Sequence, residues 1–74
     1  MIEDIGASNP DLQWTVEVVP DGEFKGHYSV TVRHPRLNQP AWAQDRYEDR
    51  ARTRALARLN TFAHWPKAYG VSTT

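Results

Sequence analysis

Two stretches of two-residue alternation, separated by Pro20-Asp21-Gly22, constrain this 74-residue chain more than any other feature. Leu12, Trp14, Val16 and Val18 alternate with Gln13, Thr15, Glu17 and Val19, the period at which successive side chains leave opposite faces of a strand. In the intervening Pro-Asp-Gly, Pro presets φ, Asp bonds nearby backbone and Gly accepts positive φ, so the chain reverses there. Beyond it, Phe24, Tyr28, Val30 and Val32 hold one parity while His27, Ser29, Thr31 and Arg33 hold the other. The two segments therefore read as an antiparallel hairpin, with Gly26 as a bulge or loop position at the start of the second strand.

Prolines mark the next boundaries. His34-Pro35 stops the second strand, and Pro35 to Pro40 is a linker closed by a proline at each end. Residues 41–45 admit two readings, a short third strand presenting Trp42 to the core or the first turn of a helix begun at Pro40. Asp45 followed three positions later by Glu48 has the spacing of a capping box, which favours the strand and starts the helix at about Arg46. His64-Trp65-Pro66 ends the helix near Ala63. Tyr47, Ala51, Ala55 and Leu59 recur every fourth residue, with Phe62 three further on, and paint one apolar stripe that faces the sheet.

The expected fold is thus α+β, an antiparallel two- or three-stranded sheet packed against one C-terminal amphipathic helix. Residues 1–11 form a flexible lead-in, 12–66 a single domain and 67–74 a C-terminal tail. The expected core is Trp14, Val16, Val18, Tyr28, Val30, Val32, Leu59 and Phe62. Because two stripe positions are Ala, the helix can approach the strands closely, with Trp14, Tyr28 and Trp42 supplying bulk.

A chain of this length buries only about 60 to 65% of its unfolded surface, so the core is thin. Three Trp, three Tyr and two Phe nevertheless supply enough large apolar surface to argue against disorder. With no cysteine, neither a disulfide framework nor a thiolate metal site holds the domain, and a reducing cytoplasmic setting is expected. The N-terminus has neither a basic nor an apolar signal region, and no apolar run approaches membrane-spanning length.

Net charge is zero, yet the charges are segregated. Residues 1–24 carry Glu3, Asp4, Asp11, Glu17, Asp21 and Glu23 with no base, whereas residues 25–74 carry all nine bases against Asp45, Glu48 and Asp49. The two halves either attract each other and solvate their own faces, or form a bipolar surface for a charged partner. Arg46, Arg50, Arg54 and Arg58 stand at successive i, i+4 positions, a slowly winding row opposite or beside the apolar stripe, with Arg52 apart. Such a row can contact phosphates or an acidic protein surface; it is equally what a soluble helix rich in good helix formers carries, and Glu48 with Arg52 makes an ordinary i, i+4 pair.

Catalytic and cofactor signatures are lacking in the sequence. The three histidines His27, His34 and His64 have no metal-ligand spacing, no nucleophile elbow surrounds a serine, and the four glycines form no phosphate loop. Asp45 and Asp49 lie one helical turn apart among arginines, as capping and ion-pair partners do. The chain is therefore expected to be no enzyme and to use no cofactor.

The run Trp14 to Pro35 (WTVEVVPDGEFKGHYSVTVRHP) followed by Tyr47 to Trp65 (YEDRARTRALARLNTFAHW) resembles the strand, turn, strand, linker, helix plan of HicB-type antitoxin domains. A similar plan occurs in the arm-type DNA-binding domains of phage integrases and in small phage anti-CRISPR proteins. The resemblance implies an accessory binding module of phage or mobile-element type, and carries no functional residue across. The expected function is non-catalytic binding of another protein, as an inhibitor, antitoxin or adaptor would, with Trp42, Trp65 and Tyr69 as interface anchors beside the arginine row. Nucleic-acid binding through Arg46, Arg50, Arg54 and Arg58 is the alternative, and an exposed edge strand leaves a homodimer by sheet extension open.

Overall fold

The computed structural model describes residues 4–64. Three strands, β1 (Gln13–Val18), β2 (Tyr28–Arg33) and β3 (Ala41–Asp45), form one antiparallel sheet in the order β1-β2-β3, and helix α1 (Glu48–His64) follows. The segment 41–45 is the third strand, and the fold is the expected α+β plan. Trp65 and Tyr69 lie outside the described residues.

The hairpin closes through a bulge that fixes its hydrogen-bonding phase. The Val19 amide donates to the His27 carbonyl at 2.9 Å, while the Gly26 amide donates to the Val19 carbonyl at 3.0 Å, so two residues oppose one. Gly26 has φ of 88° and sits in a turn closed by the His27 amide on the Phe24 carbonyl, a conformation that favours glycine. Because ladder bonds alternate, Glu17, Thr15 and Gln13 bond Ser29, Thr31 and Arg33 in turn. Tyr28, Val30 and Val32 must then bond β3 at Asp45, Ala43 and Ala41.

The helix starts two residues later than the Asp45–Glu48 spacing predicts. Asp45 Oδ1 accepts from the Tyr47 amide at 3.1 Å, which caps the turn between β3 and α1, and the first helical bond runs from the Ala51 amide to the Tyr47 carbonyl. Glu48 does not reach back; it turns forward to Arg52, with Oε2 accepting from Nε at 2.8 Å. Tyr47 consequently precedes the helix and is exposed instead of opening its buried stripe.

The core is built from smaller, wholly aliphatic side chains in place of the aromatic ones that the sequence predicts. It comprises Leu12, Val30, Val32, Ala41, Ala43, Ala51, Ala55 and Leu59, with Trp14, Val16, Tyr28, Leu56 and Phe62 only partly buried against it. Ala41 and Ala43 of β3 meet α1, so their odd parity sends Trp42 to the opposite face, where it is 54% exposed. Val18 is 56% exposed because α1 packs on β3 and β2 and does not extend over β1.

Two further connections tie the ends of the sheet. The Asn60 side-chain amide pairs with the backbone of Ile5, Oδ1 accepting from the Ile5 amide at 2.6 Å and Nδ2 donating to its carbonyl at 3.0 Å. His34, buried in the β2–β3 connection, accepts at Nδ1 from the Arg36 amide at 3.1 Å.

The seating of α1 on small residues has a measurable consequence. Ala55→Leu forces an isopropyl group into a site with no room and is expected to destabilise the domain by about 1 to 3 kcal/mol. Ala57→Leu, on the exposed side of the same helix, is expected to change stability by less than about 0.5 kcal/mol. Urea denaturation of both variants against wild type reads the difference; equal midpoints would contradict the packing described.

Candidate functional site

The two edges of the sheet are treated differently by the side chains around them. At the outer edge of β3, the ladder phase turns the backbone groups of Trp42 and Gln44 away from β2. Arg58 Nη1 donates to the Trp42 carbonyl at 2.6 Å, and its guanidinium carbon lies 5.8 Å from the centre of the Trp42 ring. One turn earlier, Arg54 Nη1 donates to the Gln44 carbonyl at 3.4 Å and to Asp45 Oδ2 at 3.3 Å. Two members of the arginine row thus wrap from the helix around the sheet edge and cap carbonyls that a further strand would need. Positive charge on an edge strand is a common guard against unplanned pairing.

The other two members are placed separately. Arg50 stacks over the Tyr47 ring at 5.2 Å, and Arg46 lies exposed in the turn before α1, sharing a shallow hollow with Phe24, His27, Trp42 and Arg54. The structure therefore gathers Trp42 with Arg46, Arg54 and Arg58 at the β3 edge, with Arg50 alongside on Tyr47. Asp45, set among them, has its carboxyl held below the ordinary value, first by the hydrogen bond from the Tyr47 amide and further by Arg54 and Arg50, against partial burial that raises it.

The β1 edge carries no such guard. Its hydrogen-bonding phase turns the N–H and C=O groups of Trp14, Val16 and Val18 outward, and among the described residues no backbone group pairs with them. The side chains of these three residues point to the helix-bearing face, which α1 covers only in part above β1. At the Trp14 end of this face lies an open cleft of about 780 Å³, lined by Trp14, by Arg52, Leu56, Ala57, Asn60 and threonines of the α1 flank, and by Asp4 and Ala7 of the segment that Asn60 pins at Ile5. Arg52, paired with Glu48, lays its guanidinium 5.1 Å from the centre of the Trp14 ring.

Charge follows the same division. Asp11, Glu17, Asp21 and Glu23 are exposed on or next to β1, and Arg46, Arg50, Arg54 and Arg58 are exposed on the β3 side. The segregation along the chain becomes a dipole across the sheet because the first strand is one edge and the helix leans over the other. Lys25 in the hairpin loop and Arg33 at the end of β2 are the bases nearest the acidic side in sequence.

Sequence reasoning missed the cleft. Trp14 reads as core because it shares parity with Val16, Arg52 reads as standing apart from the arginine row, and Leu56 and Asn60 carry no reading, although the i, i+4 spacing of the three is a visible signal of a second helical face. Among the described residues no three His, Cys, Asp or Glu side chains gather as a metal site, and no helix is long and apolar enough to cross a membrane.

The Asp45 carboxyl, ordinarily near 3.8 and lowered in the folded domain, stabilises the fold while it is ionised, and that contribution is lost as pH falls through the lowered value. Asp45→Asn is therefore expected to have a lower urea midpoint than wild type at neutral pH, and the gap between the two is expected to narrow as pH is lowered and the wild-type carboxyl takes up its proton. A gap that stays constant as pH falls would contradict this assignment. Comparison of the chain with family models, with curated proteins and with solved structures returns no match.

Proposed function

We propose that this domain is non-catalytic and acts by binding another protein, as an inhibitor, antitoxin or adaptor of phage type would. The observation that carries this reading is the open, mostly apolar cleft beside β1 at Trp14, where a half-buried Trp14 and Leu56 face solvent next to a sheet edge that has no backbone partner among the described residues. Apolar surface that a domain this small leaves uncovered is surface it has not used for its own stability. A tryptophan flanked by an arginine is also the composition of an interface anchor. The arginine row supports nucleic-acid binding less well: Arg54 and Arg58 are engaged on β3 carbonyls, and the acidic β1 side repels a polyanion.

A photo-crosslinking residue in place of Ala57, which is exposed at the cleft, tests the reading in the host cell. The expected result is a discrete protein adduct that is absent when the same group replaces Arg36, exposed on the connection between β2 and β3. Nucleic-acid adducts at Ala57, or the same adducts at both positions, would contradict it.

A further inference from the structure

We infer that the β1 edge takes an extended segment of a protein partner as a fourth strand, and that this segment alternates apolar with basic residues. The inference deepens the protein-binding reading above and rests on it. Three observations converge on the β1 edge. Trp14, Val16 and Val18 turn backbone donors and acceptors outward with no described backbone partner. The opposite edge is capped at the Trp42 and Gln44 carbonyls by Arg58 and Arg54, so one side of the sheet is closed to addition and the other is not. The 56% exposure of Val18 lies on the helix-bearing face at that same edge, where an added strand would cover it.

The chemistry of the added strand follows from the two faces of β1. On the helix-bearing face its side chains would lie beside Val16 and the exposed Val18 and reach the cleft only at Trp14, and apolar residues fit there. On the other face they would lie next to Thr15 and Glu17, with Asp11 before the strand and Asp21 and Glu23 beyond it. Lysine or arginine at alternate positions is attracted by that acidic rim, and opposite-charge neighbours across a ladder are favourable. A second copy of β1 would instead bring two acidic rims together, and pairing centred on Glu17 would set like charges directly opposite. The occupant that matches the charge is a basic, amphipathic, extended segment of another chain.

The test uses the full chain labelled with nitrogen-15 and three synthetic peptides, blocked at both ends. One alternates Lys and Val over seven residues, one replaces each Lys with Glu, and one has the Lys and Val of the first in two separate blocks. The alternating Lys peptide is expected to shift the amide signals of Trp14, Val16 and Val18. It should bind roughly tenfold more tightly than the Glu peptide at low salt, an advantage that shrinks as salt screens the rim, and more tightly than the blocked peptide. Val16→Pro removes an outward N–H and should weaken binding about tenfold or more while sparing the β1–β2 ladder. Glu17→Lys, on the exposed face, should reduce or reverse the preference for Lys over Glu and serves if the proline variant does not fold.

Equal binding of the three peptides overturns the inference, as do shifts confined to Leu56 and Ala57. Self-association of the free chain that Val16→Pro abolishes would assign the edge to a second copy instead. If the peptides do not bind while the protein adduct at Ala57 persists, strand addition fails and protein binding stands; if the adduct is also absent, both fail.

Discussion

The burial of Ala51 and Ala55 on the helix and of Ala41 and Ala43 on the third strand in one core, where α1 packs on β3, governs the rest of this molecule. Four methyl side chains let α1 settle over β3 and β2, where Val30, Val32 and Leu59 complete a dry core with no exposed surface of their own. Dense packing of this kind is sensitive to a single added methylene. It also decides position. A helix seated on small residues at one side of a three-stranded sheet cannot fully cover the other side, and β1 is left with its inner face only partly covered.

The asymmetry of the two edges follows from that seating. Where α1 overhangs β3, its arginines reach past the edge, and Arg54 and Arg58 end on the carbonyls of Gln44 and Trp42. Trp42, turned outward by the alternation that buries Ala41 and Ala43, becomes the ring against which Arg58 rests. Over β1 the helix presents a different row, Arg52, Leu56 and Asn60, across an open cleft instead of a packed interface. Asn60 uses both ends of its amide to hold Ile5, so the segment before β1 forms one end of the cleft. A charge pattern that is only a segregation along the chain becomes a polarity across the sheet.

Much of the architecture is legible in the sequence. The alternation of Leu12 to Val18 and of Tyr28 to Arg33, the turn chemistry between them, and the prolines at 35 and 40 suffice for a hairpin and a C-terminal helix, while residues 41–45 stay open between strand and helix start, with only the Asp45–Glu48 spacing favouring the strand. The burial of individual residues is less legible, because parity states which side chains share a face and not whether anything covers that face. Trp14, Val16 and Val18 share the parity of the core yet lie on the strand that α1 covers only in part, through Arg52 on Trp14. Trp42 has the size expected of a core residue and lies on the wrong parity for one. The spacing of Arg54 and Arg58 announces a row on the helix, but their engagement with β3 carbonyls depends on the helix overhanging that edge, which no local pattern encodes.

Among the described residues β1 is an open edge, and its even residues turn their backbone groups away from β2. Residue-resolved hydrogen exchange of the free chain tests it most directly. The amides of Trp14, Val16 and Val18 should exchange far faster than those of Thr15 and Glu17, which bond Thr31 and Ser29 in the ladder. Uniform protection along β1 would mean that the edge is already occupied and would contradict the account.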